Sequence, residues 1–377
     1  MVKSEAQASV LFNLRARWAL FLLFGLIAIV AVWRLFSPGW PSPAGVAWAA
    51  LAAAVFVAQI GILWSDLSMN VSIPDARLLP RFGPGTWLSL LRILALSMLV
   101  GFLWLPQPAG SLAWLPFALY LFYCLADLAD GYAARVSGVV TRLGEKLDLE
   151  LDGRGLLAAT LLAFHYGTVG WWFLSVGLAR YVFVCASWVH KRAGGKFSLG
   201  ANSLRRPLAG AQMGFGVAFL APRLPVEMTV FVSTLCMLPF LGNFLVDWLA
   251  GAGWLRRGSL AQRGQTWQTS FNWVLLALRV VLLTLLLLRV SSSALDIHVA
   301  LDLFLGAVLA LGLAGRFAAF GLLLAVGFRL QGQAVQAVDF AILFFAMWLL
   351  YLGTGKYSLR LMKEGWIFRR WGARPHT

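Results

Sequence analysis

Apolar stretches follow one another along the chain, separated by short polar intervals. Twelve can be distinguished, at about residues 18–36, 45–64, 86–104, 112–134, 149–168, 170–190, 209–222, 227–249, 271–289, 297–314, 317–329 and 335–353. Runs of roughly 17–25 apolar residues read as membrane-spanning helices, because a helix satisfies its own backbone hydrogen bonds in lipid. The alternating short segments of a membrane β-barrel are not seen. The pattern therefore predicts an all-α polytopic membrane protein. Segments 209–222 and 317–329 are short, which leaves twelve spans or ten. The first run, beginning near Trp18, lacks a small-residue cleavage site followed by a soluble domain, so it reads as a retained helix.

Two polar intervals interrupt this series. The stretch "DLSMNVSIPDARLLPRFGPG" (66–85) is too polar to span and too long for a tight turn. It reads either as a segment lying along the membrane surface or as a loop. The stretch "GAGWLRRGSLAQRGQTWQTS" (251–270) is the best candidate for a domain boundary. The expected organisation is a two-helix extension at 1–65, a six-helix core at 66–250, a linker at 251–270, and a four-helix membrane domain with a basic tail at 271–377.

Composition agrees with this reading. The chain is 60% hydrophobic and only 12% charged, too greasy to supply a soluble surface for its length. Its formal net charge of +16 would suit nucleic acid in a soluble protein. Here Lys and Arg collect instead in short intervals: Arg77 and Arg81; Lys191, Arg192, Lys196, Arg205 and Arg206; Arg256, Arg257 and Arg263; and the tail residues Lys356, Arg360, Lys363, Arg369 and Arg370. The alternate intervals "SPGWPSPAG", "LPQPAG", "HYGTVG" and "SSSALDIH" hold no Lys or Arg. That asymmetry predicts an even number of spans with both ends cytoplasmic, and partners that are membrane lipids rather than nucleic acid. The three cysteines, Cys124, Cys185 and Cys236, fall in apolar stretches and suggest neither a disulfide framework nor a zinc site. His165, His190 and His298 sit near span ends without metal-ligand spacing.

The acidic residues are placed unevenly. Six of the fifteen lie within residues 125–153, "LADLADGYAARVSGVVTRLGEKLDLELDG". Asp127 and Asp130 are i, i+3 at the end of the fourth apolar segment, and Asp148 and Asp152 are i, i+4 at the start of the fifth. Each pair shares one helix face, and the short turn between lets the faces meet. Four converging carboxylates would repel one another unless cations intervened, and oxygen-only ligands select hard divalent ions such as Mg²⁺, Mn²⁺ or Ca²⁺. Gly131, Ala134 and Gly144 remove side-chain bulk nearby, so a diphosphate could approach the backbone. Arg135 and Arg142 offer forked donors for phosphate oxygens. A lone Asp at a helix end is more often a solvated cap, but four at membrane depth mark function. Glu145 and Glu150 lie off the shared face and read as solvated.

The arrangement Asp127-x-x-Asp130-Gly131-x-x-Ala134-Arg135, then eight residues to Gly144, then Asp148 and Asp152, resembles the signature of the CDP-alcohol phosphotransferase family. The stretch "GTWLSLLRI" (85–93) resembles the family's first core helix, which usually begins Asn-x-x-Thr-x-x-Arg. Thr86 stands where Asn is usual, Ser89 where Thr is usual, and Arg92 matches. The six family helices would occupy residues 86–249. The last four segments resemble the DoxX-like membrane family through "GLAGRFAAFGLLLA" and "LGTGKYSL", which implies architecture rather than activity. Asp302 and Asp339 are intramembrane carboxylates there, without an assigned partner.

The resemblance implies a phospholipid-synthesis enzyme, a divalent-metal-dependent phosphotransferase for substituted phosphate groups. Two divalent cations, Mg²⁺ or Mn²⁺, would lie between the carboxylates and a CDP diphosphate. Asp127, Asp130, Asp148 and Asp152 would be the metal ligands, with Asp152 also the general base on the acceptor hydroxyl. Gly131, Ala134, Arg135 and Gly144 would line the CDP site. The hydroxyl would attack the β-phosphorus and CMP would leave. Arg205 and Arg206 lie where relatives grip an acceptor phosphate, although positive-inside bias also accounts for them. Arg92 and Arg180 are further phosphate contacts, Arg180 because it interrupts the apolar stretch "LSVGLARYVFVCASW" and needs an anionic partner. Relatives with CDP-choline or CDP-ethanolamine donors carry His after the third aspartate, where this chain has Leu149. That difference favours a CDP-diacylglycerol donor, with an aminoalcohol donor and diacylglycerol acceptor as the alternative. An ion-coupled transporter, or a scaffold with an inactive core, explains the acidic cluster but not the glycines and arginine at family spacing. The resemblance also implies homodimers, and the Lys and Arg asymmetry puts the site on the cytoplasmic side of what is expected to be a bacterial inner membrane.

Overall fold

A computed structural model describes residues 2–37, 42–73, 75–200, 202, 204–255, 257–291, 296–331, 333–355 and 357–359, with side chains at all of these except 2–7, 42, 257–271 and 290–291. Arg256 and the tail residues Lys356, Arg360, Lys363, Arg369 and Arg370 lie outside the described residues, as do the side chains of Arg257 and Arg263.

The described chain is all-α. Twelve helices follow the apolar pattern: α1 (Val2–Phe36), α2 (Ser42–Asp66), α3 (Pro84–Val100), α4 (Leu115–Val136), α5 (Arg142–His165), α6 (Leu174–Arg192), α7 (Arg205–Phe219), α8 (Val226–Gly251), α9 (Arg257–Ser291), α10 (Ile297–Leu311), α11 (Gly315–Arg329) and α12 (Ala337–Leu352). Six stretches are long and apolar enough to cross a membrane: Ala8–Phe36, Pro43–Met69, Gly110–Val136, Trp171–Arg192, Val226–Gly251 and Asn272–Arg289. The short segments anticipated at 209–222 and 317–329 are the 15-residue helices α7 and α11. At about 1.5 Å per residue each is shorter than the roughly 30 Å hydrocarbon layer. The polar interval 251–270, expected to be a linker, is helical from Arg257 onward as the leading part of α9.

By its contacts the chain divides into two compact units, one built on Met1–Tyr166 and one on Gly167–Phe219 with Arg223–Arg369.

In the first unit, α3 packs against α2, α4 and α5. Its start is preset by Pro84 in the first turn, where the missing N–H costs nothing. Twelve residues of α3 are buried, including Thr86, Ser89, Arg92 and Ser97. A helix with this many buried polar groups must find partners for them. Ser97 receives a 2.9 Å hydrogen bond from Gln59 of α2, and Arg92 is taken up below. At Gly85 a Cβ would stand 2.7 Å from the Asp130 carbonyl and 2.9 Å from the Ala134 methyl, so α3 and α4 close on bare backbone.

Between α2 and α3 the described residues form a braced loop, opened by a short 3-10 turn at Leu67–Met69. It folds back on itself at the Val71–Leu78 bridge and pairs with the α4–α5 turn at the Ser72–Thr141 bridge. Ile73 N donates to Val140 O (2.9 Å), and Arg142 N donates to Val71 O (3.1 Å). Asn70, fully buried, ties the loop together by donating to the carbonyls of Leu79 and Arg81.

In the second unit, α8 packs against α6, α7 and α12, and α9–α12 pack in succession. Asp302 and Asp339, unassigned from sequence, acquire partners here. Arg329 Nε lies 2.6 Å from Asp302, and its Nη2 lies 3.0 Å from Asp339. Arg289 Nε reaches Asp339 at 3.1 Å. Asp339 also caps α12 through the Gln336 amide (3.0 Å). Buried charges this far from water are stable only in such pairs.

Candidate functional site

The site is assembled in the first unit from three helices. Helix α3 supplies Ser89 and Arg92, α4 supplies Asp127 and Asp130, and α5 supplies Asp148 and Asp152. Thr141 sets the start of α5: its hydroxyl accepts from Gly144 N at 3.1 Å, capping the helix so that Asp148 and Asp152 follow at fixed rotation.

All four aspartates converge on one guanidinium. Arg92 Nη2 lies 2.6 Å from Asp127 and 2.8 Å from Asp152, and Nη1 lies 2.9 Å from Asp130 and 3.3 Å from Asp148. The expected pairing of two carboxylate faces is thus present, bridged by a third helix. Asp130 also stands 3.1 Å from the Ser89 hydroxyl. Side-chain exposure rises across the cluster, from 0% at Arg92 through 6% at Asp130 and 20% at Asp127 to 46% at Asp152 and 55% at Asp148. The guanidinium and Asp130 form a closed floor, and Asp148 and Asp152 an open mouth.

Beneath Arg92 lies Tyr123, with the guanidinium carbon 4.8 Å from its ring centroid. The phenol is itself fixed, donating to the Leu151 carbonyl at 2.5 Å. A Cβ at Gly155 would come within 2.4–2.6 Å of that ring and hydroxyl, so the tyrosine occupies the space a side chain would need. Tyr123 and Gly155 were not singled out from sequence. The available signal was position, since Tyr123 stands one helical turn before Asp127 on the same face.

Asp127, Asp148 and Asp152 each offer a carboxylate oxygen, and these oxygens lie within 4.8 Å of one another. An all-oxygen set of this compactness, partly open to solvent, suits a hard divalent cation. Gly131 borders open space apart from the Arg135 guanidinium, which would stand 3.0 Å from a Cβ there. At Gly144 a Cβ would stand 3.3 Å from Thr141 Oγ1, in tight contact with the side chain that caps α5. Ala134 has a packing reason for its size, because it faces Gly85 across the α3–α4 contact. Glu150 pairs with Arg154 at 2.6 Å on the outer side of α5.

The braced loop 66–83 reaches this site through a second anchor. Asp66 holds Lys146 at 2.7 Å, in the polar opening turns of α5 ahead of its apolar run. The hydrogen bond to Asp66 holds the Lys146 ammonium above its ordinary pKa.

The other expected phosphate contacts belong to the second unit. Arg205 donates through Nε to buried Asp247 and through Nη2 to Gly200 O at 3.1 Å, so its charge is already matched. Asn202 bridges Asn243 and Asp247, at 2.8 Å each. Arg206 is exposed. Arg180 is half-buried on α6, where it lines an open groove with Tyr181, Val184, Cys185 and Trp188.

Residues 85–240 match the family model described as CDP-alcohol phosphatidyltransferase, the family whose signature the aspartates resemble. The match begins beside the N-terminus of α3 and ends within α8, and takes in all four aspartates and Arg92. No curated protein and no solved structure matches the chain. The family match and the membrane-helical architecture support an enzyme of phosphatidyl transfer.

Proposed function

We propose that this chain is an integral-membrane phosphotransferase that moves the phosphatidyl group of a CDP-diacylglycerol-type donor onto an acceptor hydroxyl and releases CMP. The observation that carries this reading is the convergence of four signature aspartates on one buried guanidinium, inside the stretch that matches the family.

Asp127, Asp148 and Asp152 would hold divalent cations of the Mg²⁺ or Mn²⁺ type at the open mouth, with Asp130 completing the ligand set from the floor. Such ions, when bound, neutralise the donor diphosphate and the charge that develops on departing CMP. Asp152 uses one oxygen to reach Arg92, which leaves the other for the open mouth, where ion and acceptor would bind. As the acceptor oxygen bonds to the β-phosphorus, its proton passes to the Asp152 carboxylate. The bond from that phosphorus to the bridging oxygen breaks, and CMP leaves. Gly131 and Gly144 leave the backbone bare for the diphosphate, and Arg135 provides a forked donor beside it. Rate acceleration comes mainly from position and fixed charge, as in other phosphoryl transfers.

Leu149 favours the diacylglycerol-type donor. Its side chain is 59% exposed beside Asp148, where relatives that use aminoalcohol donors carry His. Under this reading the mouth opens on the cytoplasmic face of a bacterial inner membrane, in line with the Lys- and Arg-rich intervals.

The test is CMP release by the purified protein in detergent, with CDP-diacylglycerol, Mg²⁺ or Mn²⁺, and a mixture of polar alcohols. Products are identified by mass, with EDTA as control. Metal-dependent CMP release with a new lipid mass is the expected result. Release only with CDP-choline or CDP-ethanolamine plus diacylglycerol would reverse the donor assignment. Absence of both CMP release and CDP binding would remove the reading.

A further inference from the structure

The charge balance of the cluster raises a question that four carboxylates alone would not. Two divalent ions would neutralise four ionised aspartates. Arg92 supplies one positive charge in direct contact with each of them, at 2.6–3.3 Å, and leaves a net formal charge of −3. One divalent ion then brings the cluster to −1, and a second would carry it to +1. That overshoot is costly in a site whose floor is sealed from water. A diphosphate adds two negative charges next to the mouth and removes the overshoot.

Arg92 cannot simply step aside for an ion. Its side chain is fully buried, it lies on the Tyr123 ring, and Tyr123 is fixed by Leu151 O and the bare backbone of Gly155. Ions reach the cluster from the opposite side, where Asp148 and Asp152 are half exposed.

We propose that Arg92 is a built-in cation that limits the free site to one divalent ion, and that the second ion binds only together with the donor's diphosphate. The inference rests on the carboxylates being the metal site proposed above. It assigns to Arg92 a positioning role: it orders ion and donor binding without touching the reacting atoms. Arrival of the second ion with the donor would keep the free enzyme from holding a fully loaded, positively charged site that binds any passing anion.

The experiment is Mn²⁺ titration of the full-length protein in detergent, read as free Mn²⁺ by electron paramagnetic resonance, with and without CDP. One bound Mn²⁺ per chain without CDP and two with it is the expected result. Arg92→Gln should bind two without CDP, because the overshoot is gone. Arg92→Lys keeps the charge and should stay at one, which separates charge from geometry. Two Mn²⁺ on the unmodified protein without CDP, or one on Arg92→Gln, would overturn the inference while leaving the metal site intact. No Mn²⁺ in either condition would overturn both this inference and the metal assignment beneath it. Should Arg92→Gln fail to fold, two Mn²⁺ on the unmodified chain without CDP, or fewer than two with it, still overturns the inference, and Arg92→Met replaces the glutamine variant as the charge-free test.

Discussion

Tyr123 of α4 lies against the bare backbone of Gly155 on α5, in the space a β-carbon at 155 would occupy. Together with the hydrogen bond from Tyr123 to the Leu151 carbonyl, this contact holds the platform under Arg92, which in turn meets the four carboxylates. Gly155→Ala forces the ring to shift. Overpacking of this kind costs about 1–3 kcal/mol. The expected outcome is a lower melting temperature together with loss of CMP release. If turnover survives intact in a fully folded Gly155→Ala protein, the platform has no bearing on the site.

Asp148 is the most exposed member of the cluster, with its side chain 55% accessible, and removing its charge should leave the fold standing. Asp148→Asn is expected to lower CMP release by about 10²–10³-fold, the range typical of losing one preorganised electrostatic group. EDTA should mimic the defect in the unmodified protein, and added Mn²⁺ should reverse the EDTA effect. Thermal stability measured in parallel checks that the loss is catalytic.

Arg205 and Arg206 are adjacent in sequence but differ in surroundings. Arg205 is matched to buried Asp247, whereas Arg206 is exposed. Arg205→Ala removes one partner of buried Asp247, which keeps its bond from Asn202, so it should act on stability, by about 1–3 kcal/mol. Arg206→Ala should leave the melting temperature unchanged and raise KM for a phosphorylated acceptor while sparing a neutral one. Steady-state kinetics with both acceptor types, beside melting curves, separates the two roles.

In the second unit Arg329 satisfies Asp302 and Asp339 at once. Arg329→Met strands Asp302 and weakens the support of Asp339, which keeps Arg289. A loss of about 3–5 kcal/mol is expected from breaking a buried ion network in this way. Replacing Arg329 and Asp302 together by apolar residues, with Asp339 left on Arg289, should recover most of that loss. Melting curves of the single and double variants are the check. Equal stability of the single variant and the unmodified protein would mean that the network contributes nothing.

Much of this was legible in the sequence because the signals are local or periodic. Each apolar stretch specifies a helix in lipid without help from its neighbours, and the twelve helices follow those stretches closely. The spacing of Asp127, Asp130, Asp148 and Asp152 places each pair on one face by helix geometry alone. The polar interval at 257–270 was harder, because its low apolar content masked a helix that continues into the apolar run of α9. The interval 66–83 was undecidable from pattern, since its conformation comes from backbone hydrogen bonds to the α4–α5 turn, about seventy residues further along.

By itself, then, the sequence determined the order of the apolar helices, the membrane class, the acidic signature and the family to which residues 85–240 are matched. Only the tertiary structure decided which cation stands among the carboxylates, what holds that cation still, and which partners neutralise Asp302, Asp339 and Arg205. The reason is physical. Helix formation and burial are read from neighbours in the chain, whereas an ion pair depends on distances of about 3 Å between residues that only packing brings together. Arg92 is 35 to 60 positions from the aspartates it joins, and no periodicity along the chain encodes that meeting.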